Sequence, residues 1–349
     1  MQTFIVSLIV FGVIIFVHEF GHFILAKSTG VRVEEFSLGM GPQIKGQKKG
    51  ETLYSLRALP LGGFCRMTGE IVDDNEVSSD PKSFNNKSLG ARMSIIVSGS
   101  LMNFLLGALI FVFMFSVVGI PHDYANFIGE VMPGSAAEMV GIQPGDEIIS
   151  INGQTLNSWS EITGIIHHST EKTLEIELKR NKQVFKVSVV PQYDSERGVA
   201  LIGIVPRDPI LERMSLWAGV SKGFVQTYEI TIEMIRQLVL LISGQVSADE
   251  VAGPVGIIQI IGQSARLGWI NVAYLTALIS INLGIINLLP IPALDGGRFF
   301  FLIIEAVRGG KKVEPEKENL VHFLGFALLM LLMVFITYKD IVRWLTGGF

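Results

Sequence analysis

Residues 3–26 read TFIVSLIVFGVIIFVHEFGHFILA, an apolar run that contains the pentapeptide His18-Glu19-Phe20-Gly21-His22. The run exceeds the roughly 20 residues that a helix needs to cross a bilayer. Histidines at i and i+4 lie on one helix face, so both imidazoles can share a metal, and zinc hydrolases with this H-E-x-x-H pattern use the glutamate as general base. Each ionisable group at mid-bilayer costs about 2.5 to 3.5 kcal/mol and normally marks a functional site. The stretch therefore predicts a membrane helix that carries part of a metal site.

The composition indicates a membrane protein with soluble loops, because 49% of the 349 residues are hydrophobic and only 17% are charged. A net charge of -4 and the absence of a long basic run argue against nucleic acid as a partner. The single cysteine, Cys65, excludes an intramolecular disulfide and a cysteine-based zinc cluster, so a metal must use histidine and carboxylate. No lysine or arginine precedes the first apolar run and no convincing cleavage site follows it, which favours a retained helix over a signal peptide.

Four apolar segments are long enough to span a membrane: 3–26, 94–120, 272 to about 289, and 320 to about 336. The connection between the first two holds ten lysines and arginines, so the positive-inside rule places it in the cytosol. The predicted organisation follows by alternation. It comprises transmembrane helices at 1–26, 94–120, 272–297 and 320–345, cytosolic loops at 27–93 and 298–319, an outer domain at 121–210 and an amphipathic interfacial segment at 211–271.

Two of these segments have internal patterns that predict their structure. The loop 27–93 contains several glycines and short β-type runs such as 52–56, which indicate hairpins, and its part 73–88 is a polar, acidic linker. The outer segment predicts strands at 127–132, 147–151, 173–179 and 184–190 and a helix at 159–168, with His167 and His168 at its surface. This order resembles a PDZ domain, which binds extended peptides or chain ends by adding a strand. In the permuted form found in bacterial proteases, the groove strand comes last, here at 201–205.

A catalytic zinc usually has three protein ligands and a water, so the pentapeptide leaves one ligand to find. The candidate is Asp295 in the stretch NLLPIPALDGG, where two prolines break the helix and free backbone groups that must face protein or water. If the first helix starts near Phe4, His18 lies about 21 Å further in. The third span also runs from outside to inside and delivers Asp295 at its inner end. The two motifs are therefore predicted to meet near the cytosolic leaflet.

The ordered set of motifs resembles the site-2 protease family of intramembrane zinc metalloproteases, most closely bacterial regulators of σ-factor signalling that carry PDZ domains. The resemblance rests on HEFGH, on FSLGMGP at 36–42, on SLRALPLGG at 55–63, on FNNKS at 84–88 and on NxxPxPxLDG from Asn287. It implies one catalytic zinc held by His18, His22 and Asp295, with Glu19 as catalytic base. It also implies a membrane-associated β-hairpin whose edge holds the substrate, with Asn282, Asn287 and Pro290 helping to bind it. Ser100 and Cys65 depart from the family, which usually has proline and often valine there.

The predicted fold is a polytopic α-helical membrane protein with four transmembrane helices, a membrane-associated β-hairpin loop and an inserted extracytoplasmic PDZ domain of α+β type. The predicted activity is zinc-dependent cleavage of transmembrane segments of pre-trimmed single-pass proteins, such as anti-σ factors, in a bacterial cytoplasmic membrane. The partners would be such substrates, the lipid bilayer and peptide chain ends at the PDZ groove. Alternative functions are removal of signal peptides, processing of lipoprotein-derived pheromones, a non-catalytic membrane-anchored PDZ adaptor and a metal transporter. Asn282 and Asn287 could instead be helix-packing contacts.

Overall fold

The computed structural model of the protein describes residues 2–70, 80–194, 198–207, 209–245 and 252–346. Residues 73–79 of the predicted linker and 246–251 of the predicted interfacial segment lie outside these ranges. The chain divides into two compact units, of which one comprises 1–113 with 218–349 and the other 114–217. In chain order the elements are α1 (Gln2–Ser28), β1 (Val33–Lys49), β2 (Thr52–Met67), α2 (Leu89–Phe113), β3 (Ile120–Tyr124), β4 (Ile128–Val131), α3 (Ala136–Met139), β5 (Glu147–Ile151), β6 (Gln154–Thr155), α4 (Trp159–His167), β7 (Leu174–Arg180), β8 (Gln183–Val189), β9 (Gln192–Asp194), β10 (Val199–Leu201), β11 (Ile204–Pro206), β12 (Pro209–Glu212), α5 (Leu216–Ile242), α6 (Pro254–Leu267), α7 (Trp269–Leu288), α8 (Asp295–Val307) and α9 (Pro315–Leu345).

Four helices in the described part of the chain are long and apolar enough to cross a membrane. They are Gln2–Ser28, Leu89–Val118, which ends in a π-helical turn, Trp269–Leu288 and Glu316–Arg343. The prediction of a helical membrane protein is thereby confirmed. The second helix starts five residues earlier than predicted from hydropathy. Its extra turn includes Arg92, whose charge forms a buried pair and so need not face lipid.

Helix α2 packs against both α1 and α7 through glycines. A Cβ added at Gly21 or Gly99 would overlap atoms of the facing helix, so α1 and α2 approach at backbone contact. Further along α2, a Cβ at Gly107 would lie 2.8 Å from Ile281 Cγ1 of α7, and one at Gly284 would lie 3.2 Å from Ser100 O. Such small residues allow close approach of helices where lipid gives no hydrophobic drive to associate.

The loop after α1 forms the antiparallel hairpin β1-β2, interrupted by register shifts. Phe36 of β1 has ladder partners on both sides, Tyr54 and Cys65, so β2 folds back around β1. The buried end of the hairpin packs with apolar residues of α1, α2 and α8. Burial raises the pKa of the Cys65 thiol, which therefore stays protonated at neutral pH.

The described residues of this unit also form helices outside the candidate spans. The segment predicted to be interfacial contains α5 and α6, and the connection predicted as a loop after the third span contains α8. Backbone N–H groups of Gly253 and Gly256, at the start of α6, donate to the buried Asp340 carboxylate of α9 at 3.2 and 2.9 Å. This cap satisfies helix donors and complements the helix dipole. The position of the segment 211–271 relative to a membrane surface stays a prediction.

The second unit has its own apolar core. Its four-stranded sheet runs in the order β6-β5-β7-β8, and three two-stranded pairs, β10-β9, β11-β4 and β12-β3, complete it. In β7 the even positions Leu174, Ile176 and Leu178 are buried, as the period of a strand requires when one face is covered. Their cluster includes Trp159, Ile162 and Ile166 of α4. Gly203, in a left-handed conformation at φ 82°, interrupts the predicted groove strand 201–205 between β10 and β11.

The buried ion pair between Arg92 of α2 and Glu305 of α8 yields a stability prediction. The guanidinium donates to both carboxylate oxygens, at 3.0 and 2.5 Å, and both side chains are buried. Glu305→Leu leaves a buried unpaired charge and should destabilise the protein by about 3 to 5 kcal/mol. The double variant with Arg92→Met should recover most of this loss, measured as the thermal unfolding midpoint in detergent. An equal loss of stability in the single and double variants would contradict a buried ion pair between Arg92 and Glu305.

Candidate metal centre

Three side chains from two distant parts of the chain come together beside α1. His18 Nε2 and His22 Nε2 lie 3.1 and 3.2 Å from Asp295 Oδ2, and 3.3 Å from each other. One ligand atom from each residue lies within 4.8 Å of the other two. The predicted ligands therefore meet, as the depth of the two motifs in the sequence indicated.

The hydrogen bonding of His22 fixes which nitrogen faces the centre. His22 Nδ1 lies 2.8 Å from the backbone carbonyl of Ile95, which can only accept, so Nδ1 carries the proton. In the neutral ring that a metal ligand requires, His22 Nε2 presents a lone pair toward the buried Asp295 Oδ2. Converging lone pairs and a carboxylate repel one another unless a cation lies between them. This donor set fits zinc, which takes imidazole nitrogen and carboxylate oxygen as ligands and in catalytic sites leaves one position open.

The loop between α7 and α8 positions Asp295. A Cβ at Gly296 or Gly297 would overlap backbone atoms of Leu288, Leu289 or Ile291, so only glycine allows the loop to fold this closely. Ala293 has φ 76°, a left-handed conformation that is strained for a residue with a side chain. Its backbone N–H donates to His322 Nδ1 of α9 at 2.9 Å. The fourth candidate span thus holds the loop that carries the carboxylate.

Glu19 lies beside the hairpin and next to the candidate ligand His18. It follows His18 on α1, so it projects about 100° around the helix from that ligand. A Cβ at Gly63 of β2 would lie 3.7 Å from Glu19 Cγ, which places this strand directly beside the glutamate. Arg298, in the first turn of α8, forms an ion pair with Glu70 just beyond β2. The hairpin is therefore joined to the helix that begins with Asp295.

The predicted substrate residues lie outside the group of metal ligands. Asn282 is exposed and Asn287 half-buried on α7, and Pro290 is exposed in the following turn. His167 is half-buried and His168 exposed in the second unit, as surface residues would be. The binding roles of Asn282, Asn287 and Pro290 stay predictions.

Sequence reasoning missed three residues that shape the centre: Gly99, Asn103 and His322. A Cβ at Gly99 would overlap the rings of both histidines, and Asn103 Nδ2 lies 3.3 Å from His18 Nδ1. A polar Asn103 one turn after Gly99 in an apolar helix was a usable signal, because intramembrane polar groups are rarely without a role. His322, in the predicted span 320–336, carried the same signal, although its partner Ala293 is set by tertiary structure.

Comparisons with known proteins identify a family and several relatives. Residues 6–332 match the model of a family described as peptidase family M50. Zinc metalloprotease RasP of Geobacillus kaustophilus is 35% identical, with 99% of each chain covered, and the regulator of sigma-W protease RasP of Bacillus subtilis is 33% identical, with 98% of this chain and 99% of its own covered. A candidate zinc metalloprotease of Clostridium acetobutylicum is 40% identical over 97% of both chains. A PDZ domain structure from Listeria monocytogenes, 23% identical, matches 25% of this chain and 90% of its own with a TM-score of 0.22.

The close approach of α2 predicts that a single methyl group disrupts metal binding. Gly99→Ala would push its Cβ into both histidine rings and should weaken zinc affinity by about 10- to 100-fold, as loss of supporting contacts around metal ligands does. Gly90→Ala, on the same helix, meets no atom within 4 Å and is the matched control. Zinc per protein would be measured by mass spectrometry after dialysis against a chelator. Wild-type retention in Gly99→Ala would contradict the placement of the rings.

The conformation of Ala293 gives a second prediction. Ala293→Val places a β-branched side chain at φ 76° and should lower both the unfolding midpoint and zinc retention, because the loop that carries Asp295 must rearrange. Ala293→Gly, which adopts this conformation without strain, should retain zinc at the wild-type level. Thermal unfolding with and without zinc measures both effects. A valine variant that matches the glycine variant would rule out the left-handed conformation.

Proposed function

We propose an activity for this chain, which belongs to peptidase family M50, the site-2 protease family. As a membrane zinc metalloprotease, it would cleave transmembrane segments of single-pass proteins whose outer domains have already been trimmed. The observation that carries this proposal is the convergence of Asp295 on His18 and His22, which lie within a candidate membrane span, with Glu19 adjacent. A soluble peptide would have to enter the bilayer to reach a site at this depth. A substrate that already lies in the bilayer reaches it directly.

In the proposed mechanism His18, His22 and Asp295 hold one zinc ion. When bound there, zinc lowers the pKa of a water molecule and polarises the scissile carbonyl. Glu19 accepts the proton of the attacking water and returns it to the leaving amine, which requires a carboxylate within hydrogen-bond reach of both. Its position on α1, next to His18 and beside β2, supports this role. The Ile95 carbonyl accepts from His22 Nδ1–H, which leaves Nε2 as the ring nitrogen that faces Asp295.

We propose that the hairpin presents the substrate to the centre. A helical substrate hides its carbonyls in its own hydrogen bonds, so it must be unwound before hydrolysis. The part of β2 around Gly63 lies beside Glu19 and could pair with an extended segment by strand addition. Asn282 and Asn287 lie on the helix that leads to Asp295 and would supply hydrogen bonds to the unwound backbone. The exposure of Asn282 favours this role over helix packing.

The second unit is proposed to be an extracytoplasmic PDZ domain that admits substrates by their newly formed chain ends. The order of its strands and the packing of α4 in its core support this proposal. The lysines and arginines of the loop between α1 and α2 support an orientation in which that loop, the hairpin and the active site lie toward the cytosol. The protein would accordingly be a multi-pass protein of the bacterial cytoplasmic membrane.

An anti-σ factor is the proposed substrate class, because a Bacillus subtilis relative is named as a regulator of sigma-W. Remnant signal peptides and lipoprotein-derived pheromones are alternative substrates with the same chemistry, since each is an apolar segment in the membrane. Substrates trapped on an inactive variant and identified by mass spectrometry would decide among them.

Glu19→Gln provides the test of the proposed function. The variant keeps the size of the side chain but cannot accept a proton, so cleavage should fall by about 10²- to 10⁴-fold while zinc content stays at the wild-type level. A matched control is Glu316→Gln, at an exposed position at the start of α9. Cleavage would be measured in liposomes with a single-pass substrate that lacks its outer domain.

Undiminished cleavage by the Glu19→Gln variant would refute this mechanism. A wild-type protein that cleaves no membrane segment, yet whose cellular role survives Glu19→Gln, would be a PDZ adaptor. Zinc flux into sealed proteoliposomes would instead indicate a transporter.

A further inference from the structure

Asn103 of α2 contacts a metal ligand without being one. Its residue surface is 0% exposed, and its side-chain amide lies against His18 Nδ1 at 3.3 Å. Its backbone carbonyl accepts from Ser280 Oγ of α7 at 2.9 Å, which fixes this turn of α2 against α7. The side-chain oxygen Oδ1 is buried and has no hydrogen-bond partner. An unpaired buried amide oxygen costs about 1 to 3 kcal/mol, so this arrangement calls for an explanation.

The protonation of His18 supplies that explanation, given the zinc site of the proposed function. For His18 Nε2 to direct a lone pair at a cation beside Asp295, the other nitrogen, Nδ1, must carry the proton. A protonated Nδ1 needs an acceptor, whereas the NH₂ group of Asn103 can only donate. With His18 Nδ1 protonated, this N–H and the NH₂ group of Asn103 are two donors that face each other, while Asn103 Oδ1 accepts no hydrogen bond.

Rotation of the Asn103 amide by 180° removes the conflict at His18, because it places an acceptor against Nδ1. It exchanges Oδ1 and Nδ2 without moving the backbone, and the two atoms are distinguished only by their hydrogen bonds. Oδ1 then accepts from His18 Nδ1–H, just as the Ile95 carbonyl accepts from the other ligand, His22. Ile95 and Asn103 lie about two helical turns apart on α2. One helix that contributes no ligand would thus set the tautomer of both histidines.

We propose that Asn103 is a positioning residue whose side-chain oxygen accepts a hydrogen bond from His18 Nδ1–H and so holds the ring with Nε2 directed at the metal. Partners of this kind raise the basicity of the ligand and fix its orientation, and their loss typically weakens metal affinity by about 10- to 100-fold. The role depends on an acceptor at this position. It does not depend on the amide NH₂.

Two substitutions separate the acceptor role from simple packing. Asn103→Leu has a similar volume but no acceptor, and it should weaken zinc affinity by about 10- to 100-fold in competition with a chromogenic chelator. Asn103→Asp offers only acceptors and should bind zinc at least as tightly as the wild type. Ser100→Ala is the control, because its hydroxyl is also fully buried on α2 and has no hydrogen-bond partner.

Two further measurements keep the test independent of cleavage and of folding. Cobalt-substituted wild type and Asn103→Asp should share one visible absorption spectrum, while Asn103→Leu should differ, since its His18 ring is free to turn. In wild-type protein with ¹⁵N-labelled histidine, His18 should carry its proton on Nδ1 when zinc is bound. This last result is required even if Asn103→Leu does not fold.

The proposal is overturned if Asn103→Leu binds zinc like the wild type, if Asn103→Asp loses zinc to the same extent as Asn103→Leu, or if His18 is protonated on Nε2. The first two outcomes leave wild-type zinc binding and cleavage intact, whereas the third also removes His18 Nε2 as a ligand atom. Failure of the proposed function would instead appear as absent zinc binding in the wild type or as cleavage by Glu19→Gln. The two failures are therefore distinguishable.

Discussion

The contact between α1 and α2 at Gly21 and Gly99 is the constraint on which the rest of the structure depends. Helices in lipid gain little from hydrophobic association, so close backbone packing must hold them together. The space left by Gly99 is also the space that the rings of His18 and His22 occupy. The same contact therefore sets both the packing of α1 against α2 and the positions of the two histidine rings, so a change in one alters the other.

Asp295 comes from a less regular part of the chain and is held by neighbours on three sides. The Arg92–Glu305 pair fixes α8 to α2, and Arg298 joins the first turn of α8 to Glu70 beyond the hairpin. The N–H of Ala293, in the loop before α8, is held by α9. Prolines free this loop from helical geometry, but these contacts give it a single conformation. A rigid carboxylate matters because catalytic groups must be held to fractions of an ångström.

The parts predictable from sequence were those with local signals. The length of the apolar runs predicted the four apolar helices, and the spacing of the two histidines with the depth of the two motifs brought His18, His22 and Asp295 together. What was missed depends on partners distant in sequence. Hydropathy placed the start of α2 too late because it cannot see that Glu305 neutralises Arg92. Helix α8 lies where the sequence predicts a loop at 298–319. The proposed role of Asn103 depends on which atom of α1 its side chain contacts.

The separation of the ligands along the chain has a consequence for biosynthesis. His18 is translated well before Asp295, so at about 5 to 20 residues per second roughly 14 to 55 seconds pass between them. During that interval the first helix is already in the membrane beside other nascent proteins. Its two histidines and its glutamate then have no carboxylate partner. The division of the site between distant segments therefore delays hydrolytic competence until the late helices have been inserted.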